Sequence, residues 1–357
     1  MASLDEPFER GLVVERQDRA TLRQPEARRG GVGVDGDREY APRAGGGEQP
    51  RLARAEDEQP HPNRLCHNSA VSSVLAERVA ELRADREHGA SWMARRAVEA
   101  VADVAEAPAA TAEELLEHLV SAGRELASSR PGVGAVAGAV GRLLAAAAAN
   151  TGLEVDEFQR LVREEADALV NGRLRAAASI AIQLQDRLED AVVLTHSASA
   201  TVREALLHTP PEHVICTVSS PQDEGRAFSE DLRENGLDVE LVEDEQAPSR
   251  LEWASLLLLG ADTVFRDGAL INKTGTTILA EAAAADNVPV VVACEVVKLA
   301  PFSSADAPEL TAPEFELTPA ELIDCVVTEE GTVSPEEIRA LVDRTPFLRE
   351  GYRLLRG

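Results

Sequence analysis

The chain has 357 residues, of which 63 are acidic and 36 basic, giving a formal charge of -27, and 44% are hydrophobic. That length and apolar content are enough for a globular protein of two domains, while so acidic a field, with no basic patch to override it, excludes direct binding to nucleic acid. No apolar run is long enough to span a bilayer and no secretory pattern is present, so a cytoplasmic protein without a membrane partner is expected.

Lysine is nearly absent, with Lys273 and Lys298 the only two. An acidic, lysine-poor surface suits concentrated salt, where carboxylates hold water and ions screen their repulsion. A GC-rich genome explains the missing lysines but not the size of the charge imbalance, so a halophilic protein is expected. Cys66, Cys216, Cys294 and Cys325 are scattered without CxxC spacing, which predicts reduced thiols, no metal site and no bound cofactor. Aromatic residues make up 3% of the chain, too few for base-stacking platforms.

Residues 1–65 are rich in Gly, Arg, Pro and Gln and show neither helical nor strand periodicity, the composition of a disordered tail. From 73 to 190 the pattern turns helical. Apolar spacing at Val74, Leu75, Val79 and Leu82 is followed by Ala/Leu/Val-rich segments near 89–106, 111–127 and 133–149, with breaks at Gly89, Ala107-Pro108 and Arg130-Pro131. A longer helix is predicted over 154–188, with Val155, Phe158, Leu161, Val162, Leu169 and Val170 as its buried stripe. Gly132 to Gly138 imitates a dinucleotide fingerprint, but no strand precedes it, so close helix packing is the better reading.

Beyond 190, short apolar runs alternate with helix-length segments. Strands are predicted at 191–195, 213–218, 239–242, 263–265, 288–293 and 325–328, and helices at 200–208, 223–235 and 275–286. The fold class is therefore α/β: an all-helical N-terminal domain (73–190) followed by a doubly wound, Rossmann-like parallel-sheet domain (191–350), whose ligands belong beyond the C-terminal strand ends.

Two strand-end loops carry candidate chemistry. The first, Thr195-His196-Ser197-Ala198-Ser199-Ala200-Thr201, is a small hydroxyl-rich turn opening a helix, able to hold a phosphate or simply to cap the helix. The second is Gly260-Ala261-Asp262, with Asn272-Lys273-Thr274-Gly275-Thr276 following, a carboxylate beside an anion clamp. Both lysines fall in predicted strand-end loops, as expected of phosphate contacts.

These segments, with Ser219-Ser220-Pro221-Gln222-Asp223-Glu224-Gly225-Arg226, Thr318-Pro319, Thr328-Glu329-Glu330-Gly331 and Asp85 to Ser91, resemble the ordered motifs of the translation initiation factor 2B alpha/beta/delta family, over roughly residues 73–350. That family includes ribose-1,5-bisphosphate and methylthioribose-1-phosphate isomerases. The resemblance implies an aspartate at Asp262 as proton donor. It implies ligand or phosphate contacts at Gly89, Ala90, Ser91, Arg130, Ser199, Ala200, Thr201, Asn272, Lys273 and Lys298. The isomerase cysteine is replaced by Ser197, a much weaker acid than a thiol, and adjacent His196 is expected to point elsewhere. His88 and Ser220 stand where the isomerases usually carry arginines. The resemblance thus implies a regulatory, scaffold or phosphometabolite-binding protein with the isomerase chemistry lost, the alternative being an active sugar-1-phosphate aldose–ketose isomerase. It also implies a homo-oligomer, either a dimer or a dimer-built hexamer, a phosphorylated sugar or nucleotide as ligand, and an initiation-factor partner.

Overall fold

The computed structural model describes residues 62–85, 88–307, 309–310 and 312–356, with side chains from 73 onward. Residues 1–61 of the predicted tail, the side chain of Cys66, and Arg86 and Glu87 of the first motif lie outside the described residues, whereas 62–65, expected in the tail, open the first helix.

Five helices come first: α1 (Pro62–Ala84), α2 (Ala90–Val104), α3 (Ala112–Ser129), α4 (Gly134–Ala148) and α5 (Val155–Leu188). Their starts follow local chemistry. Thr111 caps α3 by accepting from the Glu114 amide at 3.2 Å, while the Glu114 carboxylate reaches back to the Ala110 amide at 2.5 Å, and together these satisfy amides that the first turn leaves open. Helix α5 runs 34 residues and serves two cores. Phe158, Val162 and Ala166 sit in the helical core with Leu115, Leu119, Val140 and Leu144. About four turns further on, Ile180, Ala181, Leu184 and Leu188 pack under the sheet. Of the predicted stripe, Phe158 and Val162 are fully buried, and Val155, Leu161, Leu169 and Val170 pack at the core's margin.

The sheet domain contains β1 (Val192–Thr195), α6 (Ala200–His208), β2 (His213–Thr217), α7 (Glu224–Glu234), β3 (Val239–Val242), α8 (Ala247–Arg250), β4 (Leu256–Leu259), β5 (Thr263–Phe265), β6 (Leu270–Lys273), α9 (Thr276–Asp286) and β7 (Val290–Ala293). It continues with β8 (Leu299–Ala300), β9 (Phe315–Thr318), β10 (Cys325–Thr328), β11 (Gly331–Val333), α10 (Ile338–Asp343) and α11 (Pro346–Arg356). The main sheet has the order β11-β10-β7-β4-β1-β2-β3, parallel except for the β10–β11 pair. Alternate residues of each central strand enter different cores. Leu194, Leu257, Leu259, Val290 and Val292 face one helical layer, while Val193, Leu256, Leu258, Val291 and Ala293 face the other, the double burial that makes parallel strands read as unbroken apolar runs.

The strand order reverses between β1 and β4, and ligands in doubly wound sheets bind beyond the carboxyl ends of the strands at such a reversal. The Thr195–Thr201 and Gly260–Asp262 loops both leave from there. Two expectations need correction. Leu256–Leu259, not predicted as a strand, is central to the parallel sheet. Thr263–Phe265 is a strand as predicted, but it belongs to a second sheet of order β8-β5-β6-β9, where it pairs antiparallel with β6. That small sheet carries Asn272 and Lys273 on β6.

The glycine-rich Gly132–Gly138 segment opens α4. At Gly138 a Cβ would lie 1.8 Å from the Val297 carbonyl oxygen, so α4 approaches the chain beyond β7 as closely as only glycine permits. Gly138→Ala should destabilise the fold by about 3 kcal/mol through overpacking. Gly152→Ala, where nothing lies within 4 Å, should change it little. Thermal denaturation of the two variants tests the difference.

Candidate functional site

A cavity of about 230 Å³ opens at the β1–β4 reversal, between the helical part and the sheet. Two helix N-termini face it. Helix α2 begins at Gly89 with no side-chain cap, and α6 begins at Ser199, whose hydroxyl accepts from the Val202 amide at 3.3 Å. No side chain takes the first amides of α2, while α6 gives its Val202 amide to Ser199, and both helix dipoles favour negative charge there. Gly260 makes this convergence possible, because a Cβ at that position would lie 2.6 Å from the Ser199 Cβ and Oγ. Thr201 is buried, and its hydroxyl has no hydrogen-bond partner among the described residues.

Cations surround the same space. The Lys298 ammonium donates to the Ala261 carbonyl at 2.8 Å and lies 3.4 Å from Glu295. Burial pulls its pKa down, but the carboxylates of Glu295 and Asp262 outweigh burial and raise it, so Lys298 stays charged. Lys273 pairs with Glu224 at 2.9 Å and donates to Gln222. Arg130 donates to the Asp85 carbonyl at 2.9 Å and lies 3.5 Å from Glu314. The Asn272 amide donates to the Thr276 hydroxyl at 3.0 Å.

Asp262 sits among these groups with a carboxyl that makes no hydrogen bond to the described residues. Desolvation pushes it up to about 6 against the pull of Lys298 and Arg130. It is thus an acid poised to change charge near neutral pH. Opposite in character is Ser197, which adopts a left-handed conformation (φ 66°) and donates its hydroxyl to Glu224 Oε1 at 2.7 Å. The same carboxylate takes the Lys273 ammonium on its other oxygen.

His196 is buried and fully engaged: Nε2 meets the Thr274 carbonyl at 3.0 Å, and Nδ1 meets the Thr217 hydroxyl at 2.6 Å. A carbonyl can only accept, so Nε2 carries the proton and Nδ1 accepts from Thr217. Burial lowers its pKa and keeps the ring neutral. His196 braces β1 against the β6–α9 turn and does not reach the Ser197 hydroxyl.

The structure brings Gly89, Ala90, Ser91, Arg130, Ser197, Ser199, Ala200, Asp262, Asn272, Lys273 and Lys298 onto one wall-to-wall surface, while Thr201 stands just behind it. The Gly275–Thr276 turn was expected to act as an anion clamp, but two of the amides around it are already taken. Glu316 of β9 accepts from the Gly275 and Thr277 amides at 3.1 and 2.7 Å, so a carboxylate already occupies the start of α9. Ser220 lies off the cavity, bonded to Asp244 and Asp223. His88 does line it, paired with Asp85 at 2.7 Å and stacked on Trp92. Sequence reasoning missed Glu224 as a site residue. Its signal was its place five residues after Ser219 in the motif, but only the fold shows that this carboxylate meets Ser197.

A helical part joined by one long helix to a Rossmann-order sheet places cations and two helix N-termini together at the strand reversal, an arrangement complementary to an anion. The chain belongs to the Initiation factor 2 subunit family, whose model matches residues 86–314. Ribose 1,5-bisphosphate isomerase of Archaeoglobus fulgidus is 29% identical over 288 residues, 73% of this chain and 90% of that one. A Pyrococcus abyssi protein described as translation initiation factor eIF-2B subunit 2-like is 32% identical over 272 residues, 71% of this chain and 94% of its own. Among solved structures, the Pyrococcus horikoshii translation initiation factor eIF-2B superposes with a TM-score of 0.63 at 25% identity, covering 73% of this chain and 97% of that chain.

Proposed function

We propose that this chain binds a phosphorylated sugar at the β1–β4 cavity, as a family member in which cysteine-dependent isomerisation is lost. The carrying observation is the convergence of the uncapped α2 N-terminus and the Ser199-capped α6 N-terminus with Lys298, Lys273 and Arg130 around one space, since helix N-termini and cations gathered on one cavity are complementary to a phosphorylated ligand. The missing thiol at Ser197 sets it apart from the isomerase reading. Calorimetric titration in molar KCl tests it: ribose 1,5-bisphosphate should bind saturably and unphosphorylated ribose should not. Ser197→Cys should raise ketose formation above wild type, and an unchanged rate would count against a lost thiol role.

A regulatory or scaffold role beside an initiation factor is a second reading. It is favoured by the match to the eIF-2B subunit 2-like relative over most of both chains. Self-association into a dimer or dimer-built hexamer belongs to that reading, and the exposed apolar side chains of Trp253, Ile278 and Leu317 on the sheet domain support it. Sedimentation at equilibrium should then give a mass at least twice that of one chain.

The formal charge of -27 supports a protein adapted to high salt in the cytoplasm. Its unfolding temperature should rise as KCl goes from about 0.1 M to about 2 M, because screening weakens carboxylate repulsion. An unfolding temperature that falls or stays flat would contradict this.

A further inference from the structure

We infer that a second cavity, enclosed by α2, α4, α5, the segment beyond β7 and the β10–β11 turn, is a binding site for an aliphatic monocarboxylate held by Arg142 and Arg175. The inference does not depend on the sugar-phosphate reading. This cavity, of about 380 Å³, shares no lining residue with the one at the strand reversal.

The charges on its walls are divided by element. Arg95 of α2, Arg142 of α4, and Arg173 and Arg175 of α5 come from the helical side, whereas Glu295, Glu329 and Glu330 come from the strand ends. Four arginines on one cavity run against the balance of a chain with 63 acidic and 36 basic residues. Two of the four are engaged elsewhere: Arg95 donates to Glu99 at 2.7 Å, while Arg173 donates to the Ser91 carbonyl and lies 3.7 Å from Glu295. Arg142 and Arg175 pair with no carboxylate among the described residues. The Arg142 guanidinium stands over the Phe347 ring, 5.0 Å from its centroid, a cation–π contact that anchors the side chain while its N–H groups donate to no described residue. Guanidinium forks of this kind match the two oxygens of a carboxylate.

The remainder of the lining decides what the carboxylate is attached to. It is carbon: Ala94, Val98, Ala139, Leu169, Val170 and Val297 contribute, and no hydroxyl, amide or aromatic side chain does so among the described residues. A sugar ring set against these atoms would leave hydroxyls unpaired, which is costly once they are out of water. A nucleobase would find no ring to stack on. A hydrocarbon chain loses no hydrogen bond there and removes apolar surface from water. The opposing carboxylates limit the ligand's charge. Burial pushes Glu295 up, but Lys298 and Arg173 outweigh it and hold the carboxyl below its ordinary value. A doubly charged phosphate would therefore face a fixed negative charge, and a single carboxylate meets the least repulsion.

The test is calorimetric titration of the full chain in molar KCl with butanoate, hexanoate and octanoate, and with octan-1-ol and inorganic phosphate for comparison. Affinity should rise along the carboxylate series by up to about fourfold per methylene. Octan-1-ol and phosphate should each bind at least about tenfold more weakly than octanoate, since one lacks the charge and the other the chain. Arg142→Gln and Arg175→Gln should each lower octanoate affinity by about tenfold, the effect of losing a hydrogen bond to a charged group. Both side chains are exposed, so the variants should fold, and circular dichroism checks that they do. Absence of saturable octanoate binding would overturn the inference. Binding that is unchanged in both variants, or equally tight for octan-1-ol, would be adventitious apolar contact and would overturn it too. Phosphate binding tighter than octanoate would overturn the ligand class.

Discussion

Lys298→Met should cost about 3 kcal/mol or more of stability and weaken sugar-phosphate binding about a hundredfold. Lys298 is buried with Glu295, 3.4 Å away, and donates a hydrogen bond to the Ala261 carbonyl one residue before Asp262. Removing one partner of a buried pair strands the other charge, which typically costs 3–5 kcal/mol. Here Arg173 remains 3.7 Å from Glu295, which places the expected loss at the lower end. Loss of a charge-assisted contact to phosphate accounts for the drop in affinity. Chemical denaturation and titration calorimetry read the two effects independently, and a variant as stable and as tight-binding as wild type would contradict the placement of Lys298.

The second large effect concerns pH. Asp262 is pushed up to about 6 by desolvation, so it is a neutral acid below that value and a carboxylate above it. A phosphorylated ligand prefers the neutral form, because a carboxylate in the same cavity repels it. Asp262 should therefore weaken binding as pH rises through about 6, by up to about tenfold per unit beyond it. Phosphate itself gains charge near pH 6, which acts in the opposite direction through the lysines. Asp262→Asn removes the first effect and keeps the second. The ratio of wild-type to Asp262→Asn affinity should fall from pH 5 to pH 7, and a ratio independent of pH would show that Asp262 does not face the ligand.

Much of this site was legible before any coordinates. The spacing of Lys273 and Lys298 in a chain otherwise without lysine marked them as contacts for an anion, and both face the cavity. Asp262 was legible from its position in the Gly-Ala-Asp loop, and Ser199 to Thr201 from the small-residue turn that opens α6. What stayed hidden depended on packing between distant segments. Leu256–Leu259 carries no β-branched residue and follows Trp253-Ala254-Ser255, so local propensity gave no strand signal; only burial on both faces, between β1 and β7, makes it one. The antiparallel β5–β6 pair was hidden because three apolar residues look alike in a parallel and an antiparallel sheet. The capping of α9 by Glu316 joins residues about forty positions apart, and so does not show in any local pattern.

Ser197 and Glu224 carry the same lesson for function. From sequence, a serine in place of the cysteine reads as a loss, since nothing adjacent in the chain can act as its base. In the fold, 27 residues of separation close to a 2.7 Å hydrogen bond, and the nearest carboxylate turns out to be tied down by the lysine already marked as a ligand contact. The neighbouring histidine, the more conventional candidate, is occupied on both nitrogens.

The most direct test of the central claim is a calorimetric titration of ribose 1,5-bisphosphate into wild type and Gly260→Val in molar KCl, with circular dichroism to check folding. The valine would place carbon atoms where Ser199 now sits, displacing the α6 N-terminus from the cavity. Saturable binding by wild type that is lost in a folded Gly260→Val variant is the predicted result. Equal binding by both proteins, or none by wild type, would contradict a sugar-phosphate site at the strand reversal.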